Sequence, residues 1–555
     1  MIDYKEIKNE FQKVVKGEIF DDVETLKKYS KDASLFEVFP KLVIWPKDAE
    51  DIKNIVKFVS NHKQENTGSQ DETSGLSITV RAAGSCMSGG SLNESIILDV
   101  SKYFNKFSID ATNRTAEVEP GVFYRDFEPE TLKHNLILPC YTASKNLCAL
   151  GGMIGNNAAG EKTLRWGNME NFVEELEVIL KDGELYTFKA IAMENLHQKS
   201  EQQNFEGELY GKMAHLTYEN KIVINEAKPK TSKNSAGYYL WNIEKNNMFD
   251  LTKILVGSQG TLGIVTKAKI KLEETKPQSK LLVIFMNSTE KLGDVVNVIL
   301  SHKPESLESY DDATLKLAMR FLPEMIKLMK TNILKLLWNF LPEVWMTVTG
   351  SMPKLVLMAE FSGKDEKETD LYIENLKKDL KKFDFKTHST NTAGEAEKYW
   401  TIRRESFNLL RKHVKNGRTV PFIDDICVEP KFLPEFLPKI RKILDDAKLV
   451  YTIAGHAGNG NFHIIPLMDM KDSHNRELIP ILSEQIFNLV REYGGSNSAE
   501  HNDGIIRTPY LNKMYSAQIL DLFSETKKIF DPQNIFNPGK KVNGTIEYMV
   551  GHITK

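Results

Sequence analysis

The chain contains no run of about 18 consecutive apolar residues, so nothing in it reads as a helix that spans a bilayer. Cysteine is scarce. Cys86, Cys140, Cys148 and Cys427 form no CxxC pair, which excludes a disulfide framework, a zinc ribbon and an iron–sulfur cluster and fits a reducing compartment. A charge surplus is also missing. The 73 basic and 76 acidic residues leave a net charge of -3, which gives no electrostatic case for nucleic-acid binding. Met1–Lys16 is charged and helical in pattern and lacks the apolar core of a secretory leader, so a cytoplasmic protein is expected. No GxGxxG stands between a strand and a helix, which argues against a Rossmann site.

What is present is an ordinary globular composition, 41% apolar and 27% charged, over 555 residues. That length exceeds what one hydrophobic core supports, so two or three domains are expected. The chemistry concentrates between Tyr451 and Gly504. YTIAGHAGNGNFHIIP reads as two strands, Tyr451–Gly455 and Phe462–Ile465, joined by residues that tolerate positive φ. A hairpin closing there sets His456 opposite His463, with Cβ atoms about 5 Å apart, close enough to share one divalent ion. A helix over about 476–493, stopped by Gly494 and Gly495, leads to Glu500 and His501. Two histidines and a carboxylate with open positions form a catalytic ligand set, so His456, His463 and Glu500 are the expected metal ligands. His501 is left as the acid–base group, an imidazole whose ordinary pKa of about 6.5 suits a base at neutral pH.

The first 62 residues read as helix, strand (41–46) and helix, the last capped by Asp48 with Ile52, Ile55, Val56 and Val59 on its apolar face. Residues 63–75 read as a polar surface loop. LSITVRAAGSCMSGGS then runs a strand into a loop containing Gly84, Gly89 and Gly90, where small residues let backbone N–H groups approach an anion such as pyrophosphate. A second cluster, 138–160, holds Gly151, Gly152, Gly155 and Gly160 with Asn156 and Asn157, and makes little sense as core. Hairpins are expected around 112–114 and Asp182-Gly183, and Gly257, Gly260 and Gly263 precede a further strand. From Pro277 a strand–helix rhythm sets in, which predicts an antiparallel sheet with helices on one face. The stretch 321–345 mixes Met, Leu, Ile, Trp and Phe with lysines. It fits either a helical pair packed on the cap or at a dimer interface, or a segment lying in a membrane interface and passing electrons to quinone.

The order RAAGS and SGG, LPCYTASK and GGMIGNNAAG, KNSAGY, then GSQGTLGIVT resembles the FAD-binding domain of the vanillyl-alcohol-oxidase superfamily. The C-terminal half resembles its FAD-linked oxidase C-terminal domain. Within the superfamily the chain is similar to the D-lactate, D-2-hydroxyglutarate and glycolate dehydrogenase group. That group's HxGxGNxH and SxEHxxG signatures stand here as GHAGNGNFH and SAEHNDG, and the ending IFDPQNIFNPGKKV also matches. The resemblance implies an α+β chain in which a bilobal FAD-binding domain covers 1–275, with lobes of about 1–100 and 101–275. An α+β cap domain with an antiparallel sheet would cover 276–505, and 506–555 would return to the FAD domain.

The resemblance also implies that Arg81, Ala82, Ala83, Gly84, Ser85, Cys86, Ser88 and Gly89 cradle the pyrophosphate, and that Pro139, Ser144, Gly151, Gly152 and Asn156 line the flavin. Gly160, Gly257, Gly260, Gly263, Ile264 and Asn537 would also approach the cofactor. Ala82 and Ala83 replace usual glycines, which requires negative φ at both. Neither loop holds a histidine, so FAD should be bound without a covalent link. In KYWTIRRES the family places a substrate-carboxylate arginine three residues after the tryptophan, which assigns Arg403, with Arg404 its neighbour and competitor.

The reading that results is an FAD-dependent dehydrogenase with one divalent ion (Zn, Mn or Fe) that oxidises a D-2-hydroxy acid to the 2-keto acid. The substrate's oxygens lie on the ion, His501 takes the hydroxyl proton and hydride passes to flavin N5. The alternatives are an oxidase that uses O₂ and a flavin-binding electron-transfer subunit without its own substrate. Expected partners are the hydroxy acid and an electron acceptor: a quinone, an electron-transfer flavoprotein, a cytochrome or an iron–sulfur partner of the kind fused to some relatives. A homodimer and a peripheral contact at the inner membrane face through 321–345 complete the expectations.

Overall fold

The computed structural model describes residues 2–65, 75–321, 352–413 and 417–555. The stretch 321–345 lies outside these residues except for Phe321, and so does most of 63–75, although the preceding helix runs on to Glu65.

Three main sheets organise the chain. The first has four strands in the order Glu18–Phe20, Leu42–Trp45, Ile96–Asp99, Ile78–Arg81, and the last three of these run parallel. Helix Ala49–Glu65 covers it, with Ile52, Ile55, Val56 and Val59 fully buried, as their helical spacing predicts. The second sheet has five antiparallel strands built around Ile264–Lys271, flanked by Thr115–Val118 and Val173–Ile179. Both expected hairpins belong to it.

The third is an eight-stranded sheet, antiparallel throughout, that holds Gln278–Met286, Leu355–Gly363, Ser306–Asp311 and the hairpin Val450–His456/Asn461–Met468. Helices pack on both of its faces, not on one as its rhythm suggested. Leu282, Ile284 and Met286 join one core with helices Leu292–Ser301 and Leu433–Asp446. Leu281, Val283 and Phe285 join another with Leu315, Trp400 and Ile402. Leu355–Gly363 is buried at every position, and a continuous apolar run such as LVLMAEF is the signature of a strand covered on both sides. Within the strand–helix rhythm expected from Pro277 onward, FIDDICV (422–428) stands where a strand is due, but it is a turn in which Asp425 has φ 76°, followed by the two-residue strand Ile426–Cys427.

The C-terminal segment closes onto the first sheet. Ile78 N donates to Ile535 O (2.7 Å), and Asn537 N donates to Ile78 O (2.8 Å). Asn537 Nδ2 donates to Gly90 O (2.8 Å) and Gln259 O (2.7 Å), so one amide ties together two glycine-rich loops from distant parts of the chain.

The turn of the hairpin depends on Gly460. Its φ is 69°, and a Cβ there would stand 1.7 Å from Val428 O. A left-handed L-residue costs about 1–2 kcal/mol before any clash is counted. Gly460→Ala should therefore lower the main calorimetric unfolding midpoint by several degrees, and an unchanged midpoint contradicts this account of the turn.

Candidate active site

One large cavity opens between the two glycine-rich loops and the hairpin of the third sheet. Its walls are Ala82–Met87, Thr142–Ser144, Gly151–Asn156 and Ser258–Gly260 on one side. On the other stand Arg403, Arg404, Asp424, His456, His463, Glu500 and His501. Part of the 138–160 cluster is a helix, Leu150–Asn156, and a Cβ on Gly152 would meet nothing within 4 Å. This bare helix face leaves a flat ligand free to lie against backbone. Ala82 and Ala83 keep negative φ.

Of the residues expected to touch the cofactor, Ala82, Ala83, Gly84, Ser85, Cys86, Ser144, Gly151, Gly152, Asn156, Gly260 and Gly263 line this cavity. The others lie outside that lining. Arg81 turns back to donate to Lys31 O (2.8 Å) and stacks on Tyr29. Ser88 accepts the Ile505 N–H at its carbonyl (2.8 Å), and Gly89 packs under Phe36 and Ile505. Pro139 and Ile264 are buried in the surrounding core, and Gly257 O accepts from Asn502 Nδ2 (2.9 Å). Gly160 O accepts from Lys233, while Asn537 braces the loops from behind. Gln259 lies inside the stretch 257–264 expected to approach the cofactor, and its side chain takes part. It lines the cavity, donates to Ser88 Oγ (3.3 Å) and Asn156 Oδ1 (3.1 Å), and accepts from Gly504 N (2.8 Å).

The hairpin register differs from the expectation of directly opposed histidines. His456 pairs with Asn461 and Ala454 pairs with His463, because the turn occupies Ala457–Gly460. The two histidines are diagonal neighbours whose ring centres lie 5.3 Å apart at 81°, a separation that long side chains bridge easily. His456, His463 and Glu500 each bring one ligand atom within 4.8 Å of the others. His456 Nε2 is 3.0 Å from Glu500 Oε1, and His463 Nε2 is 3.7 Å from Oε2.

Two further groupings, Asp424/His463/His501 and Asp425/Glu500/His501, are equally compact. Their carboxylates are already committed. Asp425 accepts from Glu500 N (2.9 Å), His501 N (2.7 Å), Ser498 Oγ (3.0 Å) and Asn461 Nδ2 (3.2 Å). Asp424 is occupied by His463 Nδ1 (3.0 Å) and lies 2.9 Å from His501 Nδ1, the latter contact without hydrogen-bond alignment. With Nδ1 of His463 bonded to Asp424 and Nδ1 of His501 turned toward the same carboxylate, Nε2 of each ring is left for other work. The residues present fit a divalent ion at His456, His463 and Glu500, where both imidazoles turn Nε2 toward one carboxylate.

Three charged groups at this centre carried no role in the sequence reading. Lys233 is fully buried and contacts Glu500 Oε1. Glu308 accepts at 2.7 Å from His456 Nδ1 and also contacts Arg403 Nη2. Glu161 receives Arg404 Nη2 at 2.6 and 2.8 Å. KNSAGY, FIDDICV and SLESYD contained Lys233, the aspartates and Glu308, but a strand pattern does not say which side chain points at a distant one. Trp400 lies under Arg404 (4.8 Å), not Arg403, as i, i+4 spacing favours. Arg403 is buried and its Nε has no hydrogen-bond partner, so one donor edge is uncommitted.

Charge shapes proton affinities here. Burial disfavours the Glu500 carboxylate, but His456 and Lys233 hold its pKa well below the ordinary range. Burial alone would lower His501, yet Asp425 and Asp424 outweigh it and raise the ring to about 9, not the unperturbed value expected.

Comparison with known proteins follows this geometry. Residues 40–189 match the family described as "FAD binding domain", and residues 275–541 match "FAD linked oxidases, C-terminal domain". The chain is 26% identical over 540 residues to the D-2-hydroxyglutarate dehydrogenase of Pseudomonas putida, covering 95% of this chain and 50% of that protein. It thus spans about half the length of that relative. It is also 26% identical over 544 residues to the glycolate oxidase subunit GlcD of Bacillus subtilis, covering 97% of this chain and 96% of that one. Among solved structures, p-cresol methylhydroxylase with substrate bound superposes with a TM-score of 0.67 at 15% identity, over 98% of this chain and 97% of the other.

The buried Lys233–Glu500 contact generates a stability prediction. Removing one partner of such a pair costs about 3–5 kcal/mol, whereas neutralising both costs far less. Lys233→Met should therefore be strongly destabilised in the presence of a chelator, and adding Glu500→Gln should recover most of the loss in denaturant unfolding. Equal instability of the single and double variants sinks the coupling.

Proposed function

The chain belongs to the flavoprotein family that joins an FAD-binding domain to the C-terminal domain of the FAD-linked oxidases, and from that premise we propose that it oxidises a D-2-hydroxy acid to the 2-keto acid. The observation that carries this reading is the convergence of His456, His463 and Glu500 on the wall opposite Gly151–Asn156. When bound, FAD would accept the hydride equivalent from the α-carbon, and a divalent ion at the triad would act as a Lewis acid toward the α-hydroxyl.

The residues divide the remaining work. His456 and His463 present Nε2 while Glu308 and Asp424 hold their Nδ1 sides, which fixes ring orientation. Arg403 offers its unpaired Nε edge to the substrate carboxylate, and Arg404 is the weaker candidate because Glu161 already occupies it. In its neutral form, whose share grows as pH rises toward about 9, His501 accepts the hydroxyl proton at Nε2, and Asp424 and Asp425 stabilise the imidazolium that forms. The loops offer FAD backbone groups and no histidine, which supports non-covalent binding. The description of one relative as an oxidase subunit supports a separate chain as electron acceptor.

The test is dye-linked oxidation by the flavin-loaded protein across D- and L-2-hydroxy acids. Turnover confined to 2-hydroxy acids, with the D-enantiomers preferred, is expected. A protein that holds flavin yet reduces no dye with any of them contradicts the proposal.

Neighbouring residues should separate by role. His501→Ala should keep its metal and flavin but lose about 10²–10⁴-fold in flavin reduction rate, the usual share of a general base. Glu500→Ala should lose metal and activity together. Stopped-flow reduction with elemental analysis reads both, and a metal-free His501→Ala beside a metal-replete Glu500→Ala reverses the assignment.

A further inference from the structure

Resting on that reading, the charge balance of the cavity narrows which acid it takes. Among the described residues that line it, Arg403 and Arg404 are the permanent cations, while the three histidines each face a carboxylate of the chain. Arg403 meets Glu308 through Nη2 and keeps its buried Nε free, enough for one substrate carboxylate. Arg404 is differently placed. Its Nη2 lies 2.6 and 2.8 Å from the two oxygens of Glu161, and its guanidinium sits 4.8 Å from the Trp400 ring centre. Glu161 is 6% exposed and accepts a further hydrogen bond from Tyr141 Oη (2.8 Å). Burial would raise its pKa, but the charge and hydrogen bonds of Arg404 bring it down to about 2, so the pair stays charged at any working pH.

The wall beyond the histidines is small and uncharged. Thr452 and Ala454 continue the face of His456 along its strand, and Ile465 continues that of His463. A hydrogen or methyl substituent on the α-carbon fits such a wall. A second carboxylate at the end of a longer chain would meet only Arg404, whose charge Glu161 already balances, and a carboxylate taken out of water without a partner is costly.

We propose that the Glu161–Arg404 pair sets specificity. Glu161 cancels the second guanidinium of the cavity and thereby restricts the enzyme to 2-hydroxy acids with one carboxylate and a short uncharged chain. In this the chain parts from the dicarboxylate named for the Pseudomonas putida relative.

The experiment compares kcat/KM for D-lactate and D-2-hydroxyglutarate in the flavin- and metal-loaded enzyme and in Glu161→Gln. Pyruvate and 2-ketoglutarate binding to the oxidised enzyme is followed in parallel through the flavin spectrum. The native enzyme should favour the monocarboxylate by about ten-fold or more, the discrimination expected when a charged group lacks its hydrogen-bond partner. Glu161→Gln, which leaves Arg404 uncompensated, should shift both the kcat/KM ratio and the ratio of product affinities toward the dicarboxylate by a similar factor.

A native enzyme that prefers D-2-hydroxyglutarate overturns the inference and leaves the proposed reaction standing, whether or not the variant folds. A folded, flavin-loaded Glu161→Gln with unchanged ratios overturns the role of Glu161. No turnover of any 2-hydroxy acid by the native enzyme overturns the reading beneath both.

Discussion

The centre of this molecule depends on keeping one carboxylate charged where little water reaches it. Glu500 is 7% exposed, and burial of a lone carboxylate is among the most expensive events in folding. Its compensation comes from distant parts of the chain. Lys233 arrives from the N-terminal half, and His456 from the hairpin of the third sheet. Asp425 fixes the backbone on which Glu500 sits through the N–H groups of residues 500 and 501. No one of these elements satisfies the group alone, so the same electrostatic demand that shapes the site also binds the two halves together.

The adjacent pairs in this site are separated by what stands behind them. Asp424 turns toward two imidazoles, while Asp425, with its positive φ, turns toward backbone amides. Glu500 faces the diagonal histidines and His501 faces the aspartates. Arg403 and Arg404 point to Glu308 and Glu161 respectively. Neighbours in sequence thus acquire different chemistry from partners that lie far along the chain, 39 residues away for Asp424 and His463 and 267 for Glu500 and Lys233, and fixed partners of this kind hold a reacting group within the small tolerance that chemistry demands.

This explains what the sequence disclosed and what it withheld. Local signals were legible. The 3.6-residue spacing of Ile52, Ile55, Val56 and Val59 predicted a buried helix face, and Asp182-Gly183 predicted a hairpin. His456, His463, Glu500 and His501 announced themselves by residue type and a glycine-rich turn, and they do converge. Lys233, Glu308, Glu161 and the Asp424–Asp425 pair stayed hidden because their meaning is a contact across sheets, which periodicity does not encode. The register of the hairpin was lost to one feature, the length of the turn at Ala457–Gly460, which turned an expected direct pair into a diagonal one. The second layer of helices on the third sheet was visible in LVLMAEF, but the strand–helix alternation outweighed it.

The closure of the C-terminal segment on the first sheet has a consequence for how the protein comes into being. The loop at Gly90 takes its rear support from Asn537, 447 residues later, and Ile78 takes its neighbour from Ile535. A chain grown as far as the hairpin already owns every glycine of the cavity wall and the Gln259 bridges between its loops, yet lacks the brace from Asn537. Full support of the cavity wall therefore waits on a contact of very large sequence separation, the kind that is slow to form.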